Sequence, residues 1–323
     1  MNHIFFMVVK RVALGLVTLI AVSMIAFLSM QCLPGDFATQ ILGQSATPEA
    51  VASLRHELGL NDRMLHRYTL WISNVLQGDF GTSFVGRGQG TPREVVYLVL
   101  PRLENSLFLA SFAASIAIPL ALVLGVLTAL WRNTVFDRVV NATTLVSIAL
   151  PEFFVAYSLI LVLSIMTGWF PSLASIRPDM PLYEKLYTTA LPAFTLVLVI
   201  LAHSMRMARA SIIGLLGNSY VEMARLKGLS RLRTILRHVL PNAWAPIANI
   251  IALNLAYLIV GVVVVEVVFV YPGLGQLMVD SVRTRDMPVI QACILLFSGI
   301  FVLLNLLADI VSIATNPRLL HPR

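Results

Sequence analysis

Six long apolar stretches constrain the fold of this chain more than any other feature of its sequence. An α-helix rises about 1.5 Å per residue, so roughly 20 apolar residues cross the roughly 30 Å hydrocarbon core of a bilayer. Helices also satisfy their own backbone hydrogen bonds in lipid. The sequence therefore predicts an all-α integral membrane protein with six transmembrane helices. They span about 12–31, 104–131, 138–165, 189–212, 242–270 and 289–312.

Composition supports a membrane protein without chemistry of its own. The chain is 58% hydrophobic and 12% charged, whereas soluble domains are about 45–50% apolar and about 25% charged. Its two cysteines form no Cys-x-x-Cys or Cys/His cluster, so no metal site is expected. The sequence has no Walker loop for ATP phosphates, no His-Glu-x-x-His and no Gly-x-Ser-x-Gly motif. We therefore expect a protein that is not an enzyme and holds no cofactor itself.

The distribution of basic residues predicts the orientation of the chain. With the N-terminus inside, the cytoplasmic segments contain 13 of the 23 Lys and Arg residues and the two short outer loops contain four. The other six lie in the loop 32–103. Cytoplasmic loops are enriched in Lys and Arg, and long loops are exempt from this rule. The bias predicts that both termini are cytoplasmic, and it explains the net charge of +7 without a nucleic-acid partner.

The loop 32–103 is predicted to form a helical periplasmic insertion between the first and second membrane helices. Thr47, Pro48 and Glu49 fit an N-cap, a first-turn proline and an acid that interacts favourably with the helix dipole. A later Thr-x-x-Glu segment fits a capping box. The three expected helices run from 48 to about 58, from a cap at Asp62 to about Gln77, and from Thr91-Pro92-Arg93-Glu94 to an interruption at Pro101.

Glu266 lies within the fifth apolar stretch, in a run of valines. An acid at the bilayer centre costs about 2.5–3.5 kcal/mol, and each aliphatic neighbour offsets about 0.3–0.6 kcal/mol, so the helix still inserts. Such an acid faces other helices or water rather than lipid. Two interpretations remain open at this stage: Glu266 is a pathway or gate residue, or it forms an inter-helix hydrogen bond that holds the fold.

Three further polar side chains interrupt the apolar stretches. Glu152 follows Pro151, where a freed backbone group or water can partner the carboxylate; a structural role is favoured over a pathway role. His203 is expected to be a packing histidine rather than a ligand. Asp309, near the inner end of the last stretch, is expected to pair with a basic residue or a backbone donor. Prolines inside membrane helices are expected to mark kinks.

The segment 214–241 between the fourth and fifth stretches is basic and polar. Charge alone is explained by a loop on anionic headgroups, at about 1 kcal/mol per residue. The order of its residues indicates a defined structure in addition to a basic loop. Residues 222–225 can continue a helix, Gly228 permits a sharp turn into a second short helix, and Pro241 suits the first turn of the next span. Two short helices joined at Gly228 form a compact unit that can transmit a rigid-body push.

Several short motifs occur in order along nearly the whole chain. They include Gly78-Asp79-Phe80-Gly81, Ala224-Arg225-x-Lys227-Gly228-Leu229, Glu266-x-x-Phe269-x-x-Pro272-Gly273-Leu274-Gly275 and Asp286-x-Pro288-x-x-Gln291. With these motifs the chain resembles the permease subunits of dipeptide/oligopeptide-type, binding-protein-dependent ABC importers. The resemblance implies one transmembrane domain over 1–323, located in the bacterial inner membrane. It also implies that 214–241 is a coupling loop that contacts an ATPase through Glu222, Met223, Ala224, Arg225, Gly228 and Leu229.

The resemblance further implies partners and cargo. A second, homologous permease subunit would form the other half of the path, two ATPase subunits would bind ATP and Mg²⁺, and a periplasmic binding protein would deliver di- or oligopeptides. Related importers carry glutathione or nickel complexes, so these cargoes stay open. The alternatives from other classes are an ion-coupled secondary transporter that uses Glu266 and Glu152, and a membrane scaffold protein.

Overall fold

The computed structural model of the chain describes residues 2–31, 39, 42, 46–57, 62–85 and 93–315. Within these residues the secondary structure is almost entirely helical, with one isolated β-bridge between Thr82 and Glu94. The helices are α1 (Asn2–Gln31), α2 (Pro48–Glu57), α3 (Met64–Leu76), α4 (Val95–Leu130), α5 (Val135–Ala149), α6 (Glu152–Leu159, continued by a π-helical segment Ile160–Met166), α7 (Leu182–Thr188), α8 (Ala190–Leu216), α9 (Ser219–Leu226), α10 (Arg231–Thr234, continued by a π-helical segment Ile235–Val239), α11 (Leu240–Val268), α12 (Leu274–Thr284) and α13 (Met287–Thr315).

Five helices in the described part of the chain are long and apolar enough to cross a membrane, namely α1, α4, α8, α11 and α13. The third predicted stretch, 138–165, is not one helix: α5 and α6 are bent by 107° at a short break. The break falls at Leu150 and Pro151, both of which have extended backbone angles, with ψ of 134° and 142°. Proline disfavours a helical conformation in the residue before it. The expected interruption at Pro151 is therefore confirmed, and its size makes this stretch a bent pair.

The helices of the segment 32–103 differ from the predicted ones in two places. The Thr47 hydroxyl accepts a hydrogen bond from Ala50 N at 3.2 Å, which confirms the first N-cap. The Asp62 cap is wrong, because α3 begins after Arg63 and has no side-chain cap. Arg side chains carry donors only and cannot accept from a helix N–H.

The expected short third helix of this segment is also wrong. Glu94 pairs with Thr82 in the β-bridge, so it is not in a helix, and α4 continues through Pro101 to Leu130. Thr91 lies outside the described residues. Val95 and Val99 are buried in a cluster with residues of α12 and α13. This packing stabilises the turns before Pro101, which loses only one backbone hydrogen bond.

The chain divides into two compact units. The first consists of Met1–Gly15, Ser106–Pro272 and Ile300–Arg323, and the second of Leu16–Asn105 and Gly273–Gly299. In the first unit, α8 packs most extensively on α11 and α5. The buried small residues of α4 recur every fourth position: Ala113, Ala117, Ala121, Gly125 and Ala129. Small residues allow membrane helices to approach closely. A Cβ atom at Gly125 would lie only 2.9 Å from Ala208 Cβ on α8.

An ion pair and a close apolar contact join α1 to α13 in the first unit. Arg11 on α1 pairs with Asp309 on α13 at 3.1 Å, which confirms the expected basic partner of Asp309. Further along, a Cβ atom at Gly15 would lie 2.9 Å from Val302. Residue numbers rise on α1 while they fall on α13, so these two segments run antiparallel.

A buried ion pair joins α5 to α8. The Arg209 guanidinium donates from Nε to Asp137 Oδ1 and from Nη2 to Asp137 Oδ2, both at 2.9 Å. Asn133 N and Asn141 Nδ2 also donate to this carboxylate, at 3.0 and 2.7 Å. A bidentate Arg–carboxylate pair is among the strongest side-chain contacts. It holds the start of α5 on the last third of α8.

The second unit is held by an aromatic cluster and a buried carboxylate. Phe27 of α1 packs against Tyr68 and Trp71 of α3, and the Tyr68 hydroxyl lies 2.8 Å from Ser23 Oγ. Asp286, between α12 and α13, accepts hydrogen bonds from Ser83 Oγ and from Phe84 N at 3.0 Å. These contacts tie the segment before α4 to the α12–α13 junction.

Candidate functional site

The turn at Gly228 joins two short helices, α9 and α10. We call residues 219–234 the elbow. Gly228 has a φ of +80°, a conformation that side chains with a Cβ atom rarely adopt. Lys227 N donates to Met223 O, and Leu229 N donates to Ala224 O, so both bonds close the end of α9. The local prediction of a turn at Gly228 is confirmed.

The second short helix differs from the expected one. From Arg231 the chain is continuously helical through the π-helical segment into α11, and Pro241 lies in the first turn of that helix. The elbow is therefore one short helix followed by a direct extension of α11.

One face of the elbow is anchored in an apolar cluster. Val221 is fully buried and Ala224 is 6% exposed. Val221 packs in one cluster with Ile212 of α8 and with Ile235 and Val239 at the start of the α11 extension. Burial of a Val or Ile side chain contributes about 1.5–3 kcal/mol. The elbow is thus packed against two membrane helices.

The elbow also carries exposed apolar side chains, alongside the exposed Lys227 and Arg233. The exposed apolar residues are Tyr220, Met223, Leu226, Leu232 and, just beyond the elbow, Leu236. Leu226 is 76% exposed. Glu222 and Gly228 are exposed as well, and Leu229 is half-buried. The side chain of Arg225 lies outside the described part of the structure. Clustered exposed apolar residues mark contact surfaces on proteins.

Glu266 lies deep in the first unit. Its side chain is fully buried, and its Oε1 accepts a hydrogen bond from Ser106 Oγ of α4 at 2.5 Å. Tyr271 N donates to the Glu266 backbone oxygen at 2.8 Å. Burial, and then the Glu266 charge, raise the pKa of the Tyr271 phenol, so Tyr271 stays protonated at neutral pH. Of the two interpretations of Glu266, this geometry favours the inter-helix hydrogen bond.

Glu152 lies elsewhere, at the wall of a cavity of about 420 Å³ between α6, α8 and α11. The polar lining consists of Glu152, His203, Asn254 and Tyr257, and the remaining walls are aliphatic. Gly261 forms the wall beside the carboxylate: an added Cβ atom would lie 3.2 Å from both Glu152 oxygens. Glu152 and Glu266 are therefore in different environments, one at a cavity and one in the core.

His203 is exposed at this cavity in the single chain, and its expected packing role stays a prediction. Asn254 and Tyr257 were not predicted to contribute to a site. Both residues lie in the middle of the apolar helix α11. The sequence contains no signal that places them opposite Glu152. Only the packing of α6, α8 and α11 against one another brings the four side chains together.

Similar proteins identify the chain as a membrane component of a transport system. Residues 121–321 match the family described as "Binding-protein-dependent transport system inner membrane component", and residues 4–89 match the N-terminal domain of such membrane components. The chain belongs to this family. It is the permease subunit of an ABC importer and a multi-pass protein of the bacterial inner membrane.

Individual relatives cover almost the entire chain. The "Glutathione transport system permease protein GsiC" of Escherichia coli (strain K12) is 38% identical over 311 residues, which cover 96% of this chain and 97% of that protein. Proteins of the same name from Shigella flexneri serotype 5b (strain 8401) and Shigella dysenteriae serotype 1 (strain Sd197) have the same identity and coverage.

Proposed function

We propose that this permease forms half of a translocation path for di- or oligopeptides and similar small solutes, including glutathione. A second, homologous permease forms the other half, two ATPase subunits supply the energy, and a periplasmic binding protein delivers the solute. The transport family and the printed name of the GsiC relatives support this proposal. Glutathione is itself a small peptide, so the two cargo classes share their chemistry.

The elbow is proposed to be the coupling segment that contacts an ATPase. The observation that carries this assignment is its two-faced packing: Val221 and Ala224 are buried, while Met223 and Leu226 are exposed. An exposed apolar face on a firmly packed element suits a protein partner that pushes on it. Because the elbow continues directly into α11, a push on α9 tilts a membrane helix.

The proposed topology has six crossings with both termini in the cytoplasm. Helices α1 and α13 run antiparallel where Arg11 meets Asp309. The first and fifth crossings of a chain are parallel, whereas the first and sixth are antiparallel. The register therefore supports an even number of crossings, in which α5 and α6 together make one. This topology places the insertion 32–103 outside and the elbow inside.

The two membrane acids receive different roles in this proposal. Glu266 holds α11 to α4 through Ser106 and thereby keeps the end of α11 in place. Glu152 is the pathway residue, because its carboxylate borders a cavity. In an importer of this type, ATP binding and hydrolysis shift the populations of inward- and outward-open states, and the permease itself catalyses no reaction.

The test of coupling compares substitutions at two glycines, one with a positive φ and one with a negative φ. Gly228→Val places a β-branched residue at φ +80°, whereas Gly217→Val falls at φ −84° with open space around it. A left-handed conformation costs a residue with a Cβ atom about 1–2 kcal/mol. This cost reduces the population of the elbow in its native conformation about 5- to 30-fold. We expect Gly228→Val to reduce both ATP hydrolysis that co-purifies with the tagged permease and ATP-dependent uptake. Gly217→Val retains both activities.

A second variant guards against simple misfolding. Met223→Asp changes an exposed side chain, so thermal stability is expected to stay within about 0.5 kcal/mol of the wild type. We expect it to lose the associated ATPase activity nevertheless. Full ATPase association and full uptake in both Gly228→Val and Met223→Asp contradict the coupling assignment.

A further inference from the structure

The cavity beside Glu152 contains an acidic group with no partner. Within the described part of the chain, the Glu152 carboxylate, the His203 imidazole and the Tyr257 hydroxyl form no hydrogen bond or ion pair with another residue. Asn254, in the same lining, donates from Nδ2 to Ser204 Oγ at 2.8 Å. The cavity thus presents acceptor groups among aliphatic side chains.

The depth of this cavity makes an unpaired carboxylate expensive. His203 and Asn254 lie at the midpoints of α8 and α11, and Glu152 lies at the break between α5 and α6. These are positions near the middle of apolar spans, where ionisable groups line pathways or pair with opposite charge. Glu152 therefore needs a positively charged partner or water that enters through the path.

Gly261 indicates that space for this carboxylate is part of the fold. The glycine is buried on α11, and a methyl group there would be 3.2 Å from both carboxylate oxygens. Real Cβ atoms rarely approach that closely, so any larger residue shifts Glu152. Tyr257 and Val260, in the same lining, are exposed, so the cavity is open on their side.

We propose that this cavity binds the ammonium group of the transported solute, with Glu152 as its counter-ion and with His203, Asn254 and Tyr257 as additional acceptors. The proposal rests on the proposed importer function, and it names the chemical class that the path recognises. Di- and oligopeptides and glutathione all carry an α-ammonium group. A volume of about 420 Å³ holds one end of such a solute rather than a long peptide.

The first experiment measures the charge that the cavity prefers. A cysteine at Tyr257 is labelled, in membranes that contain the intact assembly, with trimethylammonium-ethyl or sulfonato-ethyl methanethiosulfonate. Each rate is divided by the rate of the same reagent with free 2-mercaptoethanol, and the labelling of the unsubstituted chain at Cys32 and Cys293 is subtracted. We expect the cationic reagent to react about tenfold faster, because Glu152 attracts it and repels the anionic reagent.

Matched variants test whether Glu152 is the cause. Glu152→Gln is expected to bring the two corrected rates to within about twofold of each other. Glu184→Gln, the same change on the exposed face of α7, leaves the preference intact. Gly261→Ala keeps the charge but displaces the carboxylate, and we expect it to weaken the preference. Should Tyr257→Cys not fold, Val260→Cys supplies a second exposed reporter in the same lining.

The remaining outcomes separate this proposal from the proposed function. If ATP-dependent uptake is intact but both reagents react equally, or neither reacts, the ammonium site is wrong and the importer function stands. The absence of reaction with both reagents is also expected if a basic side chain of the partner permease occupies the cavity. If the preference is present but uptake of glutathione and dialanine does not depend on ATP, the cation site stands and the importer function fails. In a working importer, Glu152→Gln is expected to lower uptake about tenfold.

Discussion

Removal of Arg209 is expected to destabilise the permease more than removal of any neighbouring surface charge. Arg209→Met leaves the Asp137 carboxylate buried, at 5% side-chain exposure, without its bidentate partner. Breaking a buried ion pair on one side costs about 3–5 kcal/mol. Asn133 N and Asn141 Nδ2 still donate to Asp137, so we expect the lower end, about 3 kcal/mol. At about 2 °C per kcal/mol for a large domain, the Tm falls by about 6 °C.

The double variant separates the orphaned charge from the loss of packing. Asp137→Asn combined with Arg209→Met removes the buried charge together with its partner. We expect the double variant to recover about half of the lost stability, since replacing both members of a buried pair is far less costly than removing one. Thermal unfolding of the purified assembly, followed by intrinsic tryptophan fluorescence, measures each Tm. Arg206→Met, on an exposed position of the same helix, is the control and changes the Tm little.

Additivity is the result that refutes this reasoning. If the double variant is destabilised by the sum of Asp137→Asn and Arg209→Met, the two side chains do not interact energetically. A Tm for Arg209→Met equal to that of Arg206→Met also refutes it, because the pair then contributes no more than an exposed charge.

Two further predictions concern the packing of each unit. Gly125→Val is expected to lower stability by about 1–3 kcal/mol, since a Cβ atom there would lie 2.9 Å from Ala208, whereas Gly214→Val, with open space around it, is tolerated; equal Tm values for both contradict the close α4–α8 contact. Asp286→Ala is expected to cost about 1–3 kcal/mol, because it removes the carboxylate that accepts hydrogen bonds from the buried Ser83 hydroxyl and from Phe84 N–H. Limited proteolysis between α3 and α4 measures this loss, and a cleavage rate like that of the wild type excludes the anchoring role of Asp286.

The positions of the helices could be predicted from the sequence, whereas most contacts between them could not. The predicted stretch 289–312 lies inside α13, and the predicted stretch 189–212 begins one residue before α8 and ends inside it. Helix position depends on length and hydropathy, which are local properties. Pro101 and Pro151 illustrate the limit: α4 continues through the first, whereas the helix breaks at the second. A proline disturbs a helix in either context, and packing of the flanking turns decides whether it continues.

The candidate site was likewise predictable only in part. The elbow was predictable because Gly228 must supply a positive φ within a short polar segment between two apolar runs. The sequence by itself also predicted that Glu266 avoids lipid, since an ionised acid is costly in hydrocarbon whichever fold carries it. Only the tertiary structure decided that Glu266 is hydrogen-bonded in the core while Glu152 borders a cavity with His203. Both acids have apolar neighbours along the chain, and the difference arises from residues more than 40 positions away, which helix packing alone brings into contact.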